Sequence, residues 1–139
     1  MVYDSLMDSN HLIGSSNELY VASYFVENGF PVYWPMHSQS KADFLIEEKE
    51  CFKKVQVKTA TWSKTGKYKY LQCRLESRNK YSRWYKEGDF DYLIFVDKPR
   101  LWLTTFEQIK GLVSVCLDGT KKGYKPQSRK YNPDDWRII

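Results

Sequence analysis

Apolar and polar positions follow two patterns along this chain, one typical of a helix and the other of β-strands. After Ser15, Ser16 and Asn17, which suit a helix start, residues 18–28 carry apolar side chains at helical spacing. Gly29 ends that pattern in the manner of a left-handed cap. Runs of apolar and alternating residues predict strands at 42–46, 51–60, 69–75, 90–96, 101–103 and 114–117, with an extended piece at 32–34 and a short helix at 105–110.

The order of these elements predicts a fold class. One long helix comes first, a three-stranded meander over residues 42–75 follows, and a hairpin with a small helix comes last. This mixture predicts an α/β fold with a central mixed β-sheet flanked by helices. Residues 77–87 are charged and aromatic, and a short helix and an ordered loop both remain open there. Because the 139 residues show no repeat or linker, we expect a single domain over 1–139 with a basic tail from about residue 119.

Composition excludes several classes of protein. No apolar run approaches the roughly 20 residues that span a bilayer, and the first ten residues lack the pattern of a signal peptide. The three cysteines, Cys51, Cys73 and Cys116, are isolated and form no CxxC pair. This spacing argues against a disulfide framework and against a cysteine-based zinc site. We therefore expect a cytoplasmic protein that has no membrane partner.

Charge is segregated along the chain, although the net charge is only +5. Residues 1–50 hold eight acidic residues against two lysines, a net charge of −6. Residues 61–86 carry a net charge of +7 and residues 120–139 carry +4, and many aromatic side chains lie among these cations. The pattern predicts that a polyanion lies across the later segments. Solvated lysines and an aromatic protein interface are the alternatives.

Cationic and amide side chains in these segments are the candidates for contacts with double-stranded DNA. Lysines suit phosphate contacts, whereas Arg and Gln also suit bidentate contacts with base edges. For that second role the candidates are Gln72, Arg74 and Arg78. The full predicted set is Lys64, Lys67, Lys69, Gln72, Arg74, Arg78, Lys80, Arg83, Lys121 and Lys122.

The second predicted strand, residues 51–60, carries the clearest chemical signal. Side chains alternate between faces along a strand, so Val55 and Val57 point one way while Gln56 and Lys58 point the other. Asp43 lies on the neighbouring strand across a short turn, and hairpin geometry brings its carboxylate towards them. A carboxylate, an amide oxygen and an ammonium group on one patch suit a hard divalent cation and a phosphate.

In these residues the chain resembles the PD-(D/E)xK nuclease superfamily, in which Asp and (D/E)xK lie on adjacent strands of a mixed sheet and a helical Glu often completes the site. The matching positions are Asp43, Gln56 with Lys58, and Glu18 within Gly14-Ser-Ser-Asn-Glu18. That last segment is similar to the start of the first helix in archaeal Holliday-junction resolvases. Over residues 12–117 the chain most resembles the group I intron-associated homing endonucleases.

The resemblance implies a restriction-endonuclease-like domain that hydrolyses DNA. It implies catalytic residues Glu18, Asp43, Gln56 and Lys58, with Glu18, Asp43 and Gln56 as ligands of Mg²⁺, for which Mn²⁺ substitutes. A site-specific double-strand break needs two active sites, so a homing-type enzyme with one site per chain is expected to be a homo-oligomer, a dimer or a tetramer.

Two positions depart from the motif. Ala42 replaces the usual proline, and Gln56 replaces the acidic residue, which lowers the charge available to a metal. Some members of this branch are similar in carrying Gln at this position. The other explanation for Gln56 is the substitution of an original Glu by Gln. The alternatives are therefore a resolvase-like or repair nuclease, a non-cleaving DNA-binding protein of nuclease fold, and a protein-binding module.

Overall fold

The structure, a computed structural model, describes residues 9–37, 40–75, 85–119 and 131–139. The helices are α1 (Ser9–Glu27), α2 (Phe106–Ile109) and a 3₁₀ turn (Pro133–Trp136). The strands are β1 (Val32–Tyr33), β2 (Phe44–Glu48), β3 (Cys51–Thr59), β4 (Thr61–Thr65), β5 (Tyr68–Arg74), β6 (Tyr92–Asp97), β7 (Arg100–Thr104) and β8 (Ser114–Gly119). Among the described residues, no helix has the length and apolar character needed to cross a membrane.

A five-stranded mixed sheet forms the centre of the fold. Its strand order is β1-β2-β3-β6-β7. Strands β3 and β6 run parallel, with Val57 opposite Ile94, and the other neighbours are antiparallel. The parallel pair is the expected result where a long connection separates two strands. The predicted α/β class with a central mixed sheet is confirmed.

The predicted three-stranded meander is wrong. Strand β5 does not pair with β3 but lies between β4 and β8 in a second, antiparallel sheet. Strand β4 was not predicted, and it forms a hairpin with β5 around Gly66, whose φ of 58° suits a glycine. The edge of β3 that a meander would occupy is instead taken by β6, a pairing between distant segments that local spacing does not encode.

Each face of the central sheet has its own core. Alternation along β6 divides the two cores, because Ile94 and Val96 face α1 while Leu93 and Phe95 face the second sheet. On the α1 side, Val21, Phe25 and Val55 complete the packing. Across the sheet, Leu71, Val115 and Trp102 are among the residues of the other core. Strand β3 therefore lies between a helix and a second sheet.

Helix α1 begins earlier than predicted. It starts at Ser9 and not near residues 15–17, and Leu12 and Ile13 lie in its exposed first turns. The predicted end is close to the observed one, because Gly29 has a φ of 89° and its amide donates to the Val26 carbonyl at 3.0 Å. Serines that suit a helix start are tolerated here inside the helix, where packing of the following turns decides the conformation.

Candidate active site

Asp43 is fixed at the start of the β2–β3 hairpin. Its amide donates to the Val55 carbonyl at 2.9 Å, and its carboxylate oxygen Oδ2 accepts a hydrogen bond of 2.7 Å from the Val57 amide. Both contacts follow from the antiparallel register, in which Phe44 lies opposite Val55. The carboxylate therefore lies against the middle of β3, beside the two positions that flank Val57.

Those flanking positions hold Gln56 and Lys58. In the pairing with β6 they lie opposite Leu93 and Phe95, on the face of the sheet that points towards the second sheet. Gln56 and Lys58 are both half-buried, so the second sheet partly covers this face. The Lys58 ammonium lies 5.5 Å from the centre of the Tyr85 ring, a distance at which the ring attracts a cation.

Helix α1 brings Glu18 to the same place. The preceding residue, Asn17, is buried, and its side-chain amide donates to the Thr59 hydroxyl at 2.8 Å. This contact connects α1 to the end of β3, one residue beyond Lys58. Glu18 is half-buried beside Asp43, and the two carboxyl groups share a hydrogen bond.

Both carboxyl groups have raised pKa values, and burial is the largest cause for each. Burial, followed by the charge of Asp43 and its hydrogen bond, raises the pKa of Glu18 to about 7. Burial also raises the pKa of Asp43, against the opposing effects of the Val57 amide, the Glu18 hydrogen bond and the Lys58 charge. A protonated Glu18 therefore donates to the Asp43 carboxylate when no cation is present.

The donor set fits a divalent cation. Two carboxyl groups with raised pKa values lie together, and the amide of Gln56 lies on the adjacent strand. A bound cation would compensate the negative charge that the pair acquires on ionisation. In the part of the chain that is described, no three His, Cys, Asp or Glu side chains form a metal-binding group, so the amide of Gln56 is the donor that would extend the pair.

A groove continues from the carboxyl pair to the surface. It has a volume of about 360 Å³ and is lined by Glu18, Trp34, Pro35, Met36, His37, Ser40, Ala42 and Asp43. Trp34 packs against the core ring Phe44 with centroids 5.2 Å apart, while Met36 is almost fully exposed. A substrate group can therefore reach Asp43 from the outside.

Sequence reasoning did not identify three neighbours of this site. Asn17 had one available signal, since Asn is uncommon inside a helix unless its side chain has a specific partner. Tyr85 and Cys73 had none, because the second sheet and the segment before β6 bring them to Lys58 from distant parts of the chain. Burial raises the pKa of Cys73 to about 11 although the Lys58 charge lowers it, and burial also raises the pKa of Tyr85.

The predicted DNA contacts occupy more than one surface. Lys64 and Lys69 lie directly opposite each other in the β4–β5 hairpin, and Lys67 lies near its turn. Gln72 and Arg74 alternate with Leu71 and so lie on the other face of β5, where the Gln72 amide donates to the Ser63 hydroxyl at 2.8 Å. Arg78, Lys80, Arg83, Lys121 and Lys122 lie outside the described residues.

Comparison with known proteins identifies a matching family, a relative and a structure of similar fold. Residues 8–114 match the family model described as PD-(D/E)XK endonuclease. Protein 5.3 of Escherichia phage T7 is 39% identical over 119 residues, which is 86% of this chain and 99% of that protein. The structure of a bacterial homing endonuclease, I-Ssp6803I, is similar in fold, with a TM-score of 0.76 at 18% identity over 94% of this chain and 89% of the other.

Proposed function

Because this chain belongs to the PD-(D/E)XK endonuclease family, we propose that it is a metal-dependent DNA endonuclease that hydrolyses phosphodiester bonds. The observation that carries the proposal is the meeting of Glu18 and Asp43 beside Lys58, from one helix and two adjacent strands. A purely structural role does not explain this group, because two paired carboxyl groups with raised pKa values destabilise the folded protein when they ionise.

Each residue has a distinct part in the proposed reaction. Glu18, Asp43 and Gln56 would hold Mg²⁺, with Mn²⁺ as a substitute, which when bound polarises the phosphate and lowers the pKa of a water molecule. The Val57 amide holds one oxygen of Asp43 and so fixes the direction of that carboxylate. The Lys58 ammonium stabilises the negative charge that develops on the phosphate, and the Tyr85 ring restricts where that ammonium lies.

The proposed substrate is double-stranded DNA, cut at a specific site in both strands by a homing-type enzyme. Lys64 and Lys69 support a polyanionic substrate, because they place two positive charges directly opposite each other in the hairpin. One site per chain implies that a homo-oligomer makes the double-strand break. The name of the structural neighbour, a homing endonuclease, supports the same assignment.

Cleavage of supercoiled plasmids that carry a library of inserted DNA fragments tests the proposal. The wild-type protein is expected to nick and linearise, with Mg²⁺ and not in EDTA, those plasmids whose insert contains its target site. Asp43→Asn, which keeps the shape of the side chain, and Lys58→Ala are each expected to abolish cleavage. Lys53→Ala, on the same strand but away from the carboxyl pair, is the matched control and is expected to cut normally. Equal cleavage in EDTA, or full activity of Asp43→Asn, contradicts the proposal.

Cleavage of a different substrate separates the alternatives. A resolvase-like enzyme would cut a four-way junction in the presence of excess linear random duplex, whereas a homing-type enzyme would cut one linear site. A protein that binds DNA without cutting is the outcome that the neutral Gln56 keeps open. In that case Gln56→Glu would not restore cleavage, although binding would remain strongly dependent on salt.

A further inference from the structure

Helix α1 carries apolar side chains on the face that does not pack on the sheet. Val21, Ala22 and Phe25 are buried against the central sheet. On the other side, Leu12 is 52% exposed, Leu19 is 62% exposed and Val26 is 59% exposed. These three residues are spaced by seven, so they form one stripe along about four turns of the helix. We call this stripe the outer seam.

The outer seam has the pattern of a contact between helices. Apolar residues repeated every seven positions stay on one side of a helix, drifting by only about 20° per repeat. Isolated exposed apolar residues are common on protein surfaces, but apolar residues aligned along one side of a helix indicate a binding surface. Serines lie on both sides of Leu19, at Ser15 and Ser23, and such small side chains let a second helix approach closely.

The seam is complementary to a second copy of itself. If two α1 helices pack antiparallel about a two-fold axis through Leu19, residue numbers that add up to 38 lie opposite each other. Leu12 then meets Val26 of the second copy, and Leu19 meets Leu19. Ser15 meets Ser23 on the flank of the seam. Apolar residues therefore contact apolar residues and small residues contact small ones along the whole contact, as an isologous interface requires.

Charge supports the antiparallel direction. Glu27 lies at the C-terminal end of α1, where the helix dipole disfavours an acidic residue, and the first turn of α1 has no acidic residue. In the antiparallel pair, Glu27 of one copy lies beside His11 and the N-terminal turn of the other. That position favours a negative charge. A parallel pair would leave both copies of Glu27 together at the unfavourable end.

The seam and the carboxyl pair point in different directions from α1. Glu18 lies about 100° around the helix from Leu19, on the side that faces Asp43. A helix packed on the seam therefore leaves the groove that leads to Asp43 open. We propose that the outer seam of α1, formed by Leu12, Leu19 and Val26, is the interface through which two copies of this chain pair antiparallel about Leu19. This deepens the proposed function, since it supplies the second active site.

The molar mass in solution tests the interface without any DNA. The wild-type chain is expected to sediment as a dimer or a larger even-numbered assembly. Leu19→Glu is expected to halve the mass, because it puts two charges against each other on the axis, and Val26→Glu is expected to weaken the same contact. Val113→Glu is the matched control at another exposed apolar position, 48% exposed, and is expected to keep the wild-type mass. Far-ultraviolet circular dichroism checks that each variant is folded.

Charge exchange tests the direction of the pairing. Glu27→Lys is expected to weaken the dimer, since it places a cation beside the positive end of the second helix. The double variant with His11→Glu and Glu27→Lys restores opposite charges across the interface and is expected to regain affinity. A Leu19→Glu variant with unchanged mass, or a wild-type chain that is monomeric at high micromolar concentration, overturns the interface. No rescue in the double variant overturns the antiparallel direction.

The mass measurements test the interface, and the cleavage assays test the nuclease activity, so the two proposals can fail separately. If the proposed function is correct, the Val26→Glu variant, at a concentration at which its mass is that of a monomer, keeps the nicking of single strands but loses most concerted double-strand breaks. If the chain proves not to cut DNA, the mass measurements still decide whether the seam pairs. A dimer that remains after Leu19→Glu, together with normal linearisation of plasmid, contradicts the seam and leaves the nuclease proposal in place.

Discussion

The side-chain amide of Asn17 donates a hydrogen bond of 2.8 Å to the hydroxyl of Thr59. Asn17 is the residue before Glu18, and Thr59 is the residue after Lys58. The contact therefore fixes the rotation of α1 against β3 at the level where the carboxyl pair meets the lysine. Because Asn17 is only 6% exposed, water cannot easily replace this hydrogen bond.

Asn17→Ala is expected to reduce cleavage by loosening Glu18 without removing any group that touches the substrate. The lost hydrogen bond leaves the Thr59 hydroxyl without this partner, which costs about 1 kcal/mol of the free energy of unfolding. Urea denaturation measures that loss. The concentration of Mg²⁺ needed for half-maximal cleavage is expected to rise while the rate at saturating Mg²⁺ changes less. Ser23→Ala, an exposed change on the same helix, is the control, and an unchanged Mg²⁺ requirement would argue against the positioning role of Asn17.

Stability without metal is expected to depend on pH through Glu18. Its pKa is about 7 in the folded protein and ordinarily 4.5, so between these values the folded state keeps a proton that the unfolded state has lost. The free energy of unfolding in EDTA is therefore expected to fall as pH rises from 4.5 to 7. Urea denaturation across this range measures the fall, which Glu18→Gln should reduce. Glu87→Gln, an exposed change away from α1, is the control, and an equal fall in Glu18→Gln would contradict the assignment.

Gln56→Glu is expected to have opposite effects with and without Mg²⁺. A third carboxylate beside Glu18 and Asp43 adds repulsion in EDTA, so the midpoint of thermal unfolding should fall there. With Mg²⁺ the added charge should tighten binding, and calorimetric titration should give an affinity at least equal to that of the wild type. Gln72→Glu, an amide on β5 away from the pair, controls for added charge. Weaker Mg²⁺ binding in Gln56→Glu would show that position 56 is not a ligand.

The sequence predicted the elements better than their arrangement. Alternation along 51–60 and the short turn before it identify the β2–β3 hairpin, and hairpin geometry follows from local spacing. The position of Asp43 against β3 could therefore be predicted from the spacing of residues within this hairpin. By contrast, the parallel pairing of β3 with β6 joins segments more than 30 residues apart, and its register depends on packing on both faces of the sheet.

The neighbours of Lys58 likewise could not be predicted from local spacing in the sequence. Tyr85 and Cys73 reach it only because a second sheet covers that face of β3, and the sequence pattern predicted a single sheet with β5 in it. Asp43 and Lys58 were found because their spacing within one hairpin is fixed. Glu18 was suggested by resemblance, and its approach to Asp43 depends on the packing of α1, including the Asn17 contact.

The β4–β5 hairpin begins two residues after β3 ends and carries three lysines. Lys64 and Lys69 lie directly opposite each other on one face, and the Lys69 ammonium lies 5.2 Å from the Trp62 ring. Lys67 follows Gly66 in the connecting turn. If all three meet phosphates, each contributes about −0.9 to the slope of log affinity against log salt.

Neutralising Lys64, Lys67 and Lys69 together to Gln is therefore expected to weaken binding to every duplex and to flatten that slope by at most about 2.7. Fluorescence anisotropy at several salt concentrations, with Ca²⁺ in place of Mg²⁺, measures both quantities. A matched control neutralises Lys49, Lys53 and Lys110, which lie outside the hairpin, and is expected to leave the slope nearly unchanged. Far-ultraviolet circular dichroism of the hairpin variant checks that it is folded, so that a loss of affinity can be assigned to the missing charges. Wild-type affinity and slope in the hairpin variant would mean that these lysines are solvated and that DNA lies elsewhere.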